Sequence, residues 1–348
     1  MARMFRRRLV VVAMGLVAAT VLAACGGTAA APTRPPEAAT AAVATTTIRL
    51  GYVPVLIYSP LFVAQERGYF KAEGLDVQLT PIQGGSEAVV QLAAGNFDAA
   101  VGGVGAGVLN AAAQGVKFKI VAPMHSEKPP IATPLVISAK RASEITSVAD
   151  LKGKKVAINA TGAATEYWLD QALRKNGLTL QDVQVTTVAF RDVPAALESG
   201  SLDGAMLGEP LATINVEKGV VKVLANDFID GFTATYLYMG EPLLSSKPAA
   251  AKGFMRAYLR ACRDLQGNYM TPELAAIVEK YTKVPAAIVQ KSALPQYDPN
   301  GTVPMKDLAT LQSYFLERGE LQYKQPLDLA PLVDTTLAAQ VAGELGKK

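Results

Sequence analysis

The sequence predicts an α/β fold of two similar lobes facing each other across a ligand cleft, and three observations carry that prediction. Leu92, Gly95, Asp98, Ala100 and Gly103 recur as Leu197, Gly200, Asp203, Ala205 and Gly208, every member displaced by the same 105 residues. Segments with strand and helix periodicity alternate twice in the same order. With one histidine and two cysteines, the chain also lacks a cluster of catalytic or metal-ligating residue types. Each copy of the repeat reads as the end of an amphipathic helix, a glycine C-cap, a polar turn with Asp, and a small-residue strand stopping at glycine.

In chain order, Arg3, Arg6, Arg7 and Arg8 precede apolar and small residues over 9–24, a run too short to span a bilayer, so 1–24 reads as a signal peptide. The three adjacent arginines lack the rest of a twin-arginine signal, which favours ordinary secretion. The run closes Leu22-Ala23-Ala24-Cys25-Gly26, which resembles the lipobox of bacterial lipoproteins and implies lipidation of Cys25. Residues 25–46, rich in Ala, Thr and Pro without apolar periodicity, read as a tether from the membrane. The expected location is the extracytoplasmic face of the cell membrane, with palmitate-type lipid at Cys25.

The first α/β series runs strand 47–52, helix 60–69, strand 75–80, helix 86–94 and strand 99–102. The second runs strand 155–159, helix 165–176, strand 183–189, helix 193–199 and strand 205–207. Such alternation calls for mostly parallel sheets covered on both faces. Beyond Leu237 the chain turns helical, with starts at Lys247-Pro248, Thr271-Pro272 and Val284-Pro285, where Pro suits a first turn. This tail is expected on the first lobe. The domains expected are therefore 47–132 plus 238–348 for lobe 1 and 133–237 for lobe 2.

The chain holds 34 Lys and Arg against 30 Asp and Glu; four Arg and no acid lie in the signal, leaving 30 against 30 in the remainder. A balanced mature surface offers nucleic acid no electrostatic footprint. Cys262, in a helical stretch over 249–266, has no thiol partner once Cys25 is acylated and reads as a buried small hydrophobe. His125, the single histidine, is expected in a loop at the surface or cleft edge; without a serine-elbow motif it supplies no triad.

Leu61-Phe62-Val63-Ala64-Gln65-Glu66-Arg67-Gly68-Tyr69-Phe70, followed by Glu73-Gly74-Leu75-Asp76-Val77, is similar to the opening of the solute-binding proteins of importers for sulfonates, taurine, pyrimidine precursors and riboflavin. Asp150-Leu151-Lys152-Gly153-Lys154-Lys155-Val156-Ala157 and Gly208-Glu209-Pro210 resemble that family's later motifs. The resemblance implies a periplasmic-binding-protein type II fold: two lobes with mostly parallel central sheets and a two-strand hinge, placed near 131–137 and 235–239. It implies a monomeric binder that delivers a small molecule to an ABC-type permease, with no cofactor, metal or catalysis of its own. Some superfamily members are iron-dependent pyrimidine synthases with a histidine and a cysteine-rich motif, a pattern missing here. A ligand-binding sensor lipoprotein is the reading outside transport.

Ligands of α/β sheets sit at the carboxyl ends of strands, where helix N-termini gather. That rule selects Tyr58, Gly84, Ser86, Gly103 and Val104 from the first lobe. From the second it selects Thr161, Thr165, Tyr167, Trp168, Phe190, Arg191 and Glu209, with Tyr236 at the hinge. Turn geometry alone explains each glycine equally well, and Gly103-x-Gly105-x-Gly107 lacks the later glycine of a dinucleotide fingerprint. The aromatics suit a flat conjugated ring, although the adjacent Tyr167 and Trp168 cannot both face the cleft. A sulfonate, taurine or other anion would need Arg191 or the amides near Thr161. Within the family, the riboflavin-binding lipoproteins fit best, with alkanesulfonate or a thiamine pyrimidine precursor as alternatives.

Overall fold

The computed structural model describes residues 45–348, so the expected signal peptide, the acylated Cys25 and nearly all of the tether lie outside the described residues. Among the described residues, ten strands form two five-stranded sheets. The first contains β1 (Thr46–Tyr52), β2 (Leu75–Pro81), β3 (Ala99–Gly103), β4 (Phe118–Glu127) and β10 (Phe232–Gly240), in the order β2-β1-β3-β10-β4. The second contains β5 (Leu135–Ser138), β6 (Lys155–Ile158), β7 (Gln184–Thr187), β8 (Gly204–Met206) and β9 (Val221–Ala225), in the order β7-β6-β8-β5-β9.

Each sheet is parallel except for one strand, β10 in the first and β5 in the second. Those strands are the first that the chain makes after crossing between sheets. The crossings occupy residues 128–134 and 226–231. The expected second hinge at 235–239, and the expected boundary at 237/238, therefore fall within β10, which pairs along its length with β3 and β4.

The duplicated motif performs one task twice, at the amino ends of the sheets. Asp98 accepts the Arg49 amide at 2.9 Å while its own amide donates to Arg49 O; Asp203 accepts the Lys155 amide at 2.8 Å and its amide returns the bond to Lys155 O. Gly95 and Gly200 end the preceding helices at φ +71° and +77°, a region that costs glycine little. The motif thus locks a central strand, β3 or β8, to its parallel neighbour.

The tail covers the first sheet. Helix Pro248–Asp264 packs on helix Ser59–Glu66, helix Met305–Glu317 on β10, and helix Thr336–Glu344 on β4. Phe62 stacks on Tyr281 at 4.3 Å and Phe70 on Phe254 at 4.9 Å. The buried rings of Phe62, Phe70 and Phe254 each contribute roughly 1.5–3 kcal/mol by removing apolar area from water. Cys262 is buried within the long tail helix and unpaired. Among the described residues, no helix is long and apolar enough to cross a membrane.

Candidate functional site

The carboxyl ends of the two sheets face each other across a small cavity of about 40 Å³. The segment after β1 supplies Val53, Val55, Ile57 and Tyr58, the turn after β2 supplies Gly84 and Gly85, and β3 ends there at Gly103. Opposite them stand Asn159, directly after β6, then Ala163, Ala164, Thr165 and Trp168, and Phe190 beyond β7. Thr133 of the outward crossing and Thr235 of β10 complete the lining. A second recess of about 150 Å³ shares Val53, Val55, Asn159 and Phe190, and reaches Arg191.

The lobes meet closely around this cavity. Asn159 Nδ2 donates to Gln83 O at 2.7 Å, the Leu56 amide donates to Glu209 O at 2.7 Å, and Arg318 pairs with the buried Glu166 at 3.1 Å. Backbone approach explains the glycine run: a Cβ on Gly103 would stand 2.7 Å from Ala164 Cβ, and one on Gly105 only 1.4 Å from Gly162 O. These glycines are seats for the opposite lobe, a geometric demand unrelated to a nucleotide loop.

Among the expected site residues, Tyr58, Gly84, Gly103, Thr165, Trp168 and Phe190 line the main cavity, while Arg191 lines the side recess. The other six do not. Tyr236 is buried on the opposite side of β10 from Thr235, as strand alternation requires, and its hydroxyl donates to Thr233 O at 3.0 Å. Val104 follows Gly103 and is likewise turned into the core. Tyr167 lies one residue around the helix from Trp168 and stacks on Phe232 at 5.0 Å, with Tyr314 edge-on at 5.0 Å.

Ser86 is wedged against Gly107 between two helices, and the exposed Thr161 shares a hydroxyl contact with Thr187 at 3.1 Å. Glu209 turns back on its own helix, accepting the Thr213 amide at 3.0 Å and hydroxyl at 2.9 Å; burial pushes its carboxyl above the ordinary 4.5 against those bonds.

Val53, Thr133, Asn159 and Thr235 were not among the expected residues. Asn159 was accessible to the carboxyl-end rule, since it is the last residue of the predicted strand 155–159; Thr235 required knowledge of β10 and its facing. His125 differs more. It is 1% exposed on β4 rather than in a surface loop, with Nδ1 against Thr235 Oγ1 and Nε2 3.3 Å from Glu127 Oε1.

Among the described residues, no charged side chain lines the main cavity. Arg191 is 78% exposed and 3.5 Å from Asp192, so its charge is largely screened by water and a neighbour. Burial pushes the Tyr58 hydroxyl far above its ordinary range, which keeps it a neutral group.

A profile of the NMT1-like family matches residues 41–279, most of both lobes. The chain belongs to the NMT1-like family. Among relatives, this NMT1-like chain is 28% identical over 227 residues to a riboflavin-binding protein, RibY, of Chloroflexus aurantiacus, covering 64% of this chain and 62% of that one. It is also 28% identical over 186 residues to a putative aliphatic sulfonates-binding protein of Escherichia coli, covering 53% and 57%. The match thus spans about three-fifths of the length of either relative. The alkanesulfonate-binding protein SsuA of Xanthomonas axonopodis pv. citri, solved with MOPS, superposes with a TM-score of 0.68 at 18% identity, covering 84% of this chain and 99% of that one. The fold is that of the periplasmic binding proteins.

Proposed function

We propose that this protein is an extracytoplasmic solute-binding lipoprotein that captures a small neutral aromatic molecule between its lobes and delivers it to an ABC-type permease. Riboflavin is the first candidate. The observation that carries the reading is the lining of the inter-lobe cavity: Trp168, Phe190 and Tyr58 with hydroxyl and amide groups, and no charged side chain. Aromatic walls stack on conjugated rings while a few polar groups fix orientation. Similarity to a riboflavin-binding protein points the same way.

On this reading, binding is coupled to closure of the lobes, and Cys25 anchors a monomer to the membrane. The lobes are taken as 47–132 with the chain after the second crossing, and the residues between them. The test is direct: purify the protein without refolding, record the absorption and mass of any retained molecule, and titrate riboflavin while following Trp168 emission. Flavin absorption and strong quenching at micromolar riboflavin are expected. Unchanged emission and melting temperature with riboflavin, alongside a melting shift with an alkanesulfonate or a formylaminopyrimidine, would overturn the riboflavin assignment.

A further inference from the structure

The cavity's threonines carry directional information that its shape does not. Thr235 on β10 stands opposite His125 on β4, and its Oγ1 contacts His125 Nδ1. On the far side of the ring, Nε2 faces Glu127 Oε1 at 3.3 Å, and neither of these buried atoms has another hydrogen-bond partner among the described residues. Glu127 Oε2 accepts the amide of Ala132, in the outward crossing, at 2.7 Å. Thr235, His125 and Glu127 are all buried.

Glu127 Oε1 offers Nε2 a lone pair, so a proton on Nε2 satisfies both atoms, and a ring carrying that one proton keeps a lone pair on Nδ1. This tautomer is assigned from the network rather than from a visible hydrogen. The Thr235 hydroxyl then donates to Nδ1, and what it turns toward the cavity is an acceptor. Thr165 is fixed in the same sense. Its hydroxyl donates to Asn159 Oδ1 at 2.6 Å, and the amide cannot flip because Asn159 Nδ2 donates to Gln83 O.

We infer that this cavity reads hydrogen-bond donors: Thr165 and Thr235, the latter oriented by His125 as a positioning residue, accept from N–H or O–H groups of a neutral ligand and disfavour ligands that offer only acceptors, such as alkanesulfonates. The inference rests on the inter-lobe cavity being the ligand site, and not on the ligand being riboflavin. It also links the site to the hinge, since the same network ends on the Ala132 amide.

Because the chain has a single histidine, 15N-histidine labelling gives one imidazole in a long-range 1H–15N spectrum. A ring protonated at Nε2 alone is expected. An Nδ1-protonated or doubly protonated ring overturns the inference, because either makes Thr235 donate into the cavity. A second arm titrates riboflavin and methanesulfonate into the wild type, Thr235→Val and Thr235→Ser, with thermal melts to check folding.

Riboflavin binding should weaken about tenfold in Thr235→Val, the loss of one hydrogen bond, and be retained in Thr235→Ser. Methanesulfonate binding that disappears in Thr235→Val overturns the inference. Failure of riboflavin to bind the wild type would remove the flavin reading alone, with the ring's tautomer still deciding the polarity of Thr235.

Discussion

Adding one methyl group at Gly105 should separate folding from lobe closure. Gly105 has φ −111° and ψ −172°, extended backbone that alanine adopts without penalty, so Gly105→Ala should leave each lobe folded. In the closed arrangement, however, the new Cβ would lie 1.4 Å from Gly162 O and 2.4 Å from Gly162 C. Both obstacles are backbone and cannot rotate away. Restoring ordinary contact requires the lobes to part by roughly 2 Å at this point, beyond the tolerance of the 2.7 Å bonds from Asn159 to Gln83 O and from Leu56 to Glu209 O. Losing bonds of this kind costs about 1–3 kcal/mol, which corresponds to roughly a five- to 150-fold loss of affinity. The assay is riboflavin titration by Trp168 fluorescence, paired with small-angle scattering of the ligand-free protein, where a larger radius of gyration is expected. Wild-type affinity with an unchanged radius would refute the reasoning.

Arg191→Ala should change stability by no more than about 0.5 kcal/mol and riboflavin affinity by less than about twofold, because its charge is exposed; a tenfold loss by isothermal titration calorimetry would favour an anionic ligand. Asp98→Ala and Asp203→Ala should each cost about 1.5–3 kcal/mol in urea unfolding, since each removes a carboxylate from a strand amide; a negligible effect of either would contradict the duplicated clamp. For Glu209, burial raises the folded pKa above 4.5, so the folded state binds more protons and stability falls as pH rises beyond that value. Glu209→Gln should remove that fall, raising the melting temperature at pH 8 more than at pH 4.5; an equal shift at both would refute it.

The parts of the fold legible in the sequence were those written locally. The repeated helix ends, the Pro-initiated tail helices and the parallel strands β1, β2, β3, β6, β7 and β8 follow from short-range periodicity and capping. Strands β4 and β10 were not legible in the same way. Pro123 lies within β4, a residue type that weakens a strand reading even though β4 is an edge strand, and β10 finds its partners in segments far away in sequence, with register shifts along the pairing. The site inherited that gap. Without β10, the parity that sends Thr235 to the cavity and Tyr236 to the core was unreadable, as was the burial of His125 behind Thr235. Trp168 and Tyr167 show the complementary limit: adjacency on a helix shows that they diverge, but only packing against Phe232 and Tyr314 selects which one leaves the cleft.

The Asp98 and Asp203 clamps sit at one end of their sheets, and the ligand-lining loops sit at the other. Robustness and recognition are thereby assigned to opposite poles of each lobe, so the recognition pole can be rewritten without loosening the anchorage. The molecule is consequently suited to serve as a chassis for retargeted sensors: libraries confined to positions 53–58, 83–86, 159–168 and 189–191 vary the cargo while both anchoring aspartates stay untouched.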